Sequence, residues 1–204
     1  MVEMTRRLVA SALLLLPALR PGAASTGDGG AFIDELGRRT IDVLDHVGSD
    51  PEKRRQAIAQ LLDETVDLTL IARLCLGRHW RTTSDAQRTQ YVELFRTNVL
   101  AALSRRMNFY TGSERLVVTG SQPAGEDTMV SSEIVYGTKD APLKIGWRVR
   151  TSGSKPTIID VLPEGVSLVL TYRSEFDEVV GKGGMDGLIA ELKARAAAKA
   201  KAKA

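Results

Sequence analysis

The chain has 204 residues, of which 43% are hydrophobic, enough for one domain with a real core. Its formal charge of +3 is unevenly spread: residues 1–24 carry a net +2 and the tail from Lys193 a net +5, so the body between them is left at −4. A mildly acidic body excludes a nucleic-acid binder built on a basic face, and a single cysteine, Cys75, excludes an internal disulfide.

Arg6 and Arg7 precede an apolar run from Leu8 to Pro17, and small residues follow at Gly22, Ala23 and Ala24. This order predicts a secretory signal peptide over 1–24 with cleavage after Ala24, because the apolar run is too short to span a bilayer. Export would carry the mature protein out of the cytoplasm. Residues 25–30 are expected to be a flexible lead-in. Phe32, Ile33, Leu36, Val43, Leu44 and Val47 recur at helical spacing, which predicts an amphipathic helix over 31–48. Ser49-Asp50-Pro51 reads as a cap and a first-turn proline opening a second helix to about Glu64. A short, more buried helix carries Leu68, Leu70, Ile71, Leu74 and Leu76 and stops at Gly77. Ser84-Asp85-Ala86-Gln87 is a capping box that opens the longest helix, to about Tyr110.

The period then changes to two. Strands are predicted over Leu116 to Gly120, over Val130 to Tyr136, over Leu143 to Arg150 and over Ile158 to Leu162. The third is the cleanest, with Leu143, Ile145, Trp147 and Val149 on one face and Lys144, Gly146, Arg148 and Arg150 on the other. After Pro163-Glu164-Gly165 the helical period returns in Val166, Val169, Tyr172 or Arg173, Phe176 and Val180. Gly181 to Gly184 are expected to break it, and a last helix starts near Asp186 and frays into an Ala/Lys tail. Helices, a four-stranded antiparallel meander and helices again make an α+β fold, with a single domain over 25–192 and a basic low-complexity tail over 193–204.

Residues able to do chemistry are sparse. His46 and His79 have no metal-ligand spacing around them. Gly165-Val166-Ser167 lacks the second glycine of a nucleophile elbow, so Ser167 reads as a small polar residue at a helix start. Cys75 lies in an apolar run and reads as a small buried hydrophobe. Asp160 and Glu164 read as a solvated or Arg-paired strand edge. No catalytic or metal site is expected, and no cofactor.

Four segments, in order and spacing, carry a family resemblance. DVLPEGVSLVLTYRSEF at 160–176 resembles the signature of the MlaC (toluene-tolerance) family of periplasmic lipid carriers. LIARLCLGRHWRTTSDAQRTQYVELF at 70–95, NFYTG at 108–112 and GGMDGLIAEL at 183–192 agree with it. Leu103 stands where many members have Tyr, Pro156-Thr157 where a Lys-Trp pair is frequent, and Ile159 where Tyr often precedes Asp160. The resemblance implies that 25–192 is a lipid-binding domain, a twisted sheet wrapped by helices in a cone like that of nuclear transport factor folds. It implies an apolar cavity for the acyl tails of a phospholipid, held by a monomer. The implied partners are an ATP-driven lipid transport complex in the inner membrane and a lipoprotein complex in the outer membrane. Alternatives are a polycyclic isoprenoid lipid as cargo, a small cone-fold enzyme, or a structural adaptor.

Patterning on the two layers then nominates the lining. From the sheet come Ile134, Tyr136, Ile145, Trp147 and Val149. From the helices come Leu100, Leu103, Met107, Val166, Val169, Leu170 and Tyr172.

Overall fold

A computed structural model describes residues 28–107, 109–138, 140–153 and 155–201. The segment expected to be a signal peptide, most of the expected lead-in, Asn108 of the NFYTG segment and the last three tail residues lie outside the described residues. Helix α1 spans Asp28–Val47, α2 Pro51–Thr65 and α3 Leu68–Leu76, followed by a 3-10 turn, Gly77–Arg81, and α4, Asp85–Met107. Strands β1 (Arg115–Ala124), β2 (Asp127–Val135), β3 (Leu143–Arg150) and β4 (Thr157–Pro163) come next, and α5, Leu168–Lys201, follows them.

The helix boundaries follow from capping chemistry. The Asp50 carboxylate accepts from the backbone N–H groups of Glu52 and Lys53, satisfying donors that the first turn of α2 leaves open, and Pro51 needs no partner there. Asp67 caps α3 through Leu70 N–H, and Gly77 ends that helix at φ 57°, a conformation costly for a residue with a Cβ. Ser84 and Gln87 exchange hydrogen bonds at the start of α4, as the capping box requires.

The four strands pair in sequence order, all antiparallel. Opposed pairs such as Val130 and Trp147, Ser132 and Ile145, and Trp147 and Val161 put one set of side chains on a common inner face. Helix α1 lies across this face, where Phe32, Ile33 and Leu36 pack on Val130, Val149 and Ile158. A second apolar cluster belongs to the helices: α4 packs on α2, α3 and α5, while α3 and α5 reach the sheet at β4.

Several boundaries differ from expectation: α1 begins at Asp28, inside the segment expected to be a flexible lead-in, α4 ends at Met107, and β2 begins at Asp127. Strand β1 runs on to Ala124 through Gly120 and Pro123, two residues with poor strand propensity. It can do so because β1 is an edge strand, where a proline's missing N–H breaks no ladder, and because a bulge near Gly120 absorbs the irregularity. Strand β2 stops at Val135, leaving Tyr136 in the following turn. Helix α5 passes through Gly181 and Gly183 and kinks at Gly184 alone, then continues to Lys201, well into the segment expected to fray. Arg195 anchors that extension through ion pairs with Glu175 and Glu191.

Candidate functional site

Of the nominated strand residues, Ile145 and Val149 are buried, and Ile134, Trp147 and Tyr136 are half-buried. Ile134, Ile145, Trp147 and Val149 share the inner face, as the strand register requires. Two polar points on that face satisfy each other, whereas the buried Ser121 hydroxyl, opposite Val130 on β1, has no hydrogen-bond partner. Trp147 Nε1–H donates to Ser132 Oγ at 2.8 Å, and Ser132 donates in turn to the Ile145 carbonyl at 3.2 Å. The face therefore presents apolar surface without unpaired indole or hydroxyl groups at those two positions.

Helix residues Leu100, Leu103, Met107, Val169 and Tyr172 all belong to the other cluster or pack against it. Its centre is a ring assembly of Tyr91, Phe95, Tyr172 and Phe176, with centroids 5.5–6.4 Å apart and mostly tilted or edge-on, the preferred aromatic geometry. Tyr91 donates its hydroxyl to the Ala72 carbonyl at 3.0 Å. Burial raises the pKa of both Tyr91 and Tyr172, so they stay neutral in an apolar setting. Of the nominated residues, Trp147 and Val149 thus go with the sheet cluster and the five helix residues with the helical one, Ile134, Tyr136 and Ile145 go with neither, and among the described residues Val66, between α2 and α3, is packed against both.

A void of about 30 Å³ lies inside the helical layer, beside Phe95, Asn98, Tyr172, Phe176 and Leu192. That is the room of one water, far below the several hundred Å³ of a typical ligand pocket. Val166 and Leu170 stand outside both clusters, 59% and 61% exposed. Leu170 flanks an open surface groove of about 400 Å³, which also runs past Leu76, Arg78, Arg173 and Asp177.

The signature segment owes its polar residues to architecture. Asp160 is buried rather than a solvated or Arg-paired edge. Its carboxylate accepts from Ser167 Oγ, from Val169 N–H at 3.1 Å and from its own neighbour Val161 N–H. Ser167 Oγ in turn accepts from Leu170 N–H, the N-cap bond of α5. Glu164, at φ 49°, turns the chain between β4 and α5 and accepts from Lys144 N–H. Sequence patterning missed this tie because the partners lie seven and nine residues apart across a turn, with no periodic signal.

The remaining polar groups among the described residues assemble no reaction centre. Cys75 is buried, which together with the Asp160 carboxylate pushes its thiol up to about 12, so it is no thiolate nucleophile at neutral pH. His79 Nε2 sits 2.7 Å from Asp177, whose carboxylate also pairs with Arg78. The His79 hydrogen bond and the Arg78 charge hold Asp177 below the usual carboxylate range. Among the described residues no group of three His, Cys, Asp or Glu could hold a metal, and no helix is long and apolar enough to cross a membrane.

Two comparisons bear on this arrangement. The family model described as MlaC protein matches residues 35–194. Among solved structures, the chain is similar to a phospholipid-binding protein from Ralstonia solanacearum in complex with a phospholipid. The likeness has a TM-score of 0.72 at 21% sequence identity, and covers 87% of this chain and 99% of that one.

Proposed function

The chain belongs to the MlaC family, and on that premise we propose that it is a periplasmic carrier that holds a phospholipid by its acyl chains and shuttles it between outer- and inner-membrane complexes. The observation that carries this reading is the division of the apolar interior into a sheet cluster and a helical cluster that share Val66. An ordinary α+β domain fuses its layers into one core. Here the seam between layers is the place where acyl chains can enter at little cost, because parting it breaks few contacts within either cluster.

The lining proposed for the seam is Ile134, Tyr136, Ile145, Trp147 and Val149 from the sheet side, with Leu100, Leu103, Met107, Val169 and Tyr172 from the helices. Val166 and Leu170 stand at its rim in solvent. A void of about 30 Å³ lies in the helical layer beside Tyr172, and loading is proposed to part the layers there. The fold neighbour holds a phospholipid, which supports the same use of the shared topology here.

The energetics explain why such a protein needs no catalytic group. Exposing two long acyl chains, with about thirty methylenes, costs on the order of 20 kcal/mol in water. Transfer from membrane to seam moves the chains between two apolar settings, so the net change is small. Direction then comes from the docked partners, proposed to be an ATP-driven transporter of the inner membrane and a lipoprotein complex of the outer membrane. Signal-directed export over residues 1–24 would bring the carrier to the gap it serves.

Native mass spectrometry of the purified protein tests the reading. Phospholipid should leave with the protein in near-stoichiometric amount, and Leu103→Trp should lower that load by occupying seam volume. Protein that is empty when purified from a phospholipid-rich membrane source, and stays empty after incubation with vesicles, would overturn it.

A further inference from the structure

The exposed large hydrophobic side chains gather at one end of the sheet. Val166, Leu168 and Leu170 follow the end of β4, and are 59%, 39% and 61% exposed. Phe109, 81% exposed, lies in the segment leading into β1. The register puts the start of β1 and the end of β4 at the same end of the sheet, on its two opposite edges: Arg115 opposes Val135, Ile134 opposes Leu143, Ile145 opposes Pro163, and Glu164 N–H bonds the Lys144 carbonyl. Three aliphatic side chains within five residues cannot be dismissed as scattered surface apolar residues, which normally stand singly.

The same corner is basic. Arg78 on the 3-10 turn and Arg173 on α5 are exposed and line the groove beside Leu170. Asp177 in the same groove is shared by Arg78 and His79, Glu178 pairs with Lys182, and the Glu164 carboxylate accepts from Lys144 N–H and keeps its charge, so the groove's excess cation is Arg173. Beside Leu170, the open groove of about 400 Å³ runs past Arg78, Arg173 and Ser174.

We propose that this corner, Val166, Leu168 and Leu170 with the Arg78–Arg173 groove beside them, is a contact surface for an anionic phospholipid bilayer. The aliphatic side chains protrude far enough to enter the boundary between headgroups and acyl chains, and the arginines meet lipid phosphates. A surface with an apolar tip and a cationic flank is the arrangement that holds a protein reversibly at a membrane interface. The inference rests on the carrier reading for its purpose, since it brings the seam's end toward the bilayer, but the contact itself is a separate property.

Flotation with vesicles tests it. The exported chain beginning at Ser25 is used at full length, with Lys199, Lys201 and Lys203 replaced by Gln so that their charge contributes nothing. The probes are vesicles of phosphatidylcholine alone and of phosphatidylcholine mixed with phosphatidylglycerol. Binding is expected to the mixed vesicles, weakening with added salt. The double variant Val166→Ser, Leu170→Ser should lose about tenfold or more in affinity. Arg78→Gln should lose up to about fivefold, on the anionic vesicles only. Binding to neither vesicle, or equal binding by all variants, overturns the proposal. So does a concentration-dependent dimer that Leu170→Ser abolishes, since the corner would then serve a second copy. Native mass spectrometry of the same wild-type preparation keeps the two ideas apart. Empty protein that still floats removes the carrier reading alone, and loaded protein that does not float removes the membrane contact alone.

Discussion

Asp127 is the most enclosed acid of the sheet, its side chain 2% exposed, and it sits at the start of β2 on the face turned away from α1. Arg148 and Arg150, two residues apart on β3, both donate to it, at 2.7 and 2.9 Å. Burial pushes its pKa up, but the hydrogen bonds from Arg150 and Arg148 outweigh burial and hold it below the ordinary value. A carboxylate depressed in the folded state contributes stability that is complete above its unfolded pKa and is lost as pH falls through the folded one. Asp127→Asn should therefore cost about 1–2 kcal/mol at neutral pH, less than a fully enclosed pair because both arginines are partly in solvent. Urea denaturation at pH 7 measures that difference, and the gap between variant and wild type should close in acid below about pH 4. A constant gap down to the acid limit would mean the carboxylate's charge is not its source. Alternation along β3 makes the outward direction of both arginines legible in the sequence. Their acidic partner is not, because Asp127 lies beside Gly125 and Glu126 and reads as one more turn residue.

At the scale of elements, the glycines of α5 separate two roles that composition alone merges. Gly181 and Gly183 lie within the helix, and a Cβ added at either would meet nothing within 4 Å, whereas Gly184 stands at φ 64°, ψ −171°, a region closed to other residues. Gly181→Ala should stabilise by about 0.5–1 kcal/mol through the unfolded chain's lost freedom and better helix propensity. Gly184→Ala should destabilise by about 1–3 kcal/mol, because the kink that seats Met185, Leu188 and Leu192 in the helical cluster would have to straighten or strain. Chemical denaturation of the two variants side by side checks both signs, and like signs would place the kink elsewhere. The glycine-rich run announces a break in the helix but not its position, since any of its glycines could take the positive φ. Tertiary packing of Met185 and Leu188 decides it. The capped starts of α2 and α4 and the alternation of β3 are the opposite case: their signals are local, and the structure realises them within a residue or two. The seam is the least legible feature. Period identifies the apolar face of each layer; Ile134, Ile145, Trp147 and Val149 share the sheet face and five nominated helix residues go with the helical cluster, while Tyr136 lies beyond β2 and Val166 and Leu170 are exposed. Whether two faces meet each other or each meet a third element depends on where α1 lies, and no periodicity encodes that.

For the molecule as a whole, the distribution of charge sets what a bound lipid can be recognised by. The cations of β3 face away from the seam, and Arg148 and Arg150 are committed to Asp127. Arg195, which borders the void in the helical interior, is paired with both Glu175 and Glu191 and brings no excess positive charge with it. Those pairs leave the proposed lining apolar, with the Ser132–Trp147 hydrogen bond closed on itself. An unpaired phosphate drawn into such a setting would cost several kcal/mol, more than any apolar contact of the headgroup could return. The headgroup is therefore expected to stay in water while the tails alone are held, and discrimination should act on chain length and bulk. Lipids extracted from the purified protein should span the headgroup classes of the source membrane in rough proportion, whereas their acyl-chain lengths should be narrower than the membrane's. Quantitative lipid mass spectrometry of protein and source membrane together measures both distributions. A single headgroup class on the protein, retained when the membrane supplies several, would mean that a cation reaches the ligand and that the lining is not the apolar seam assigned to it.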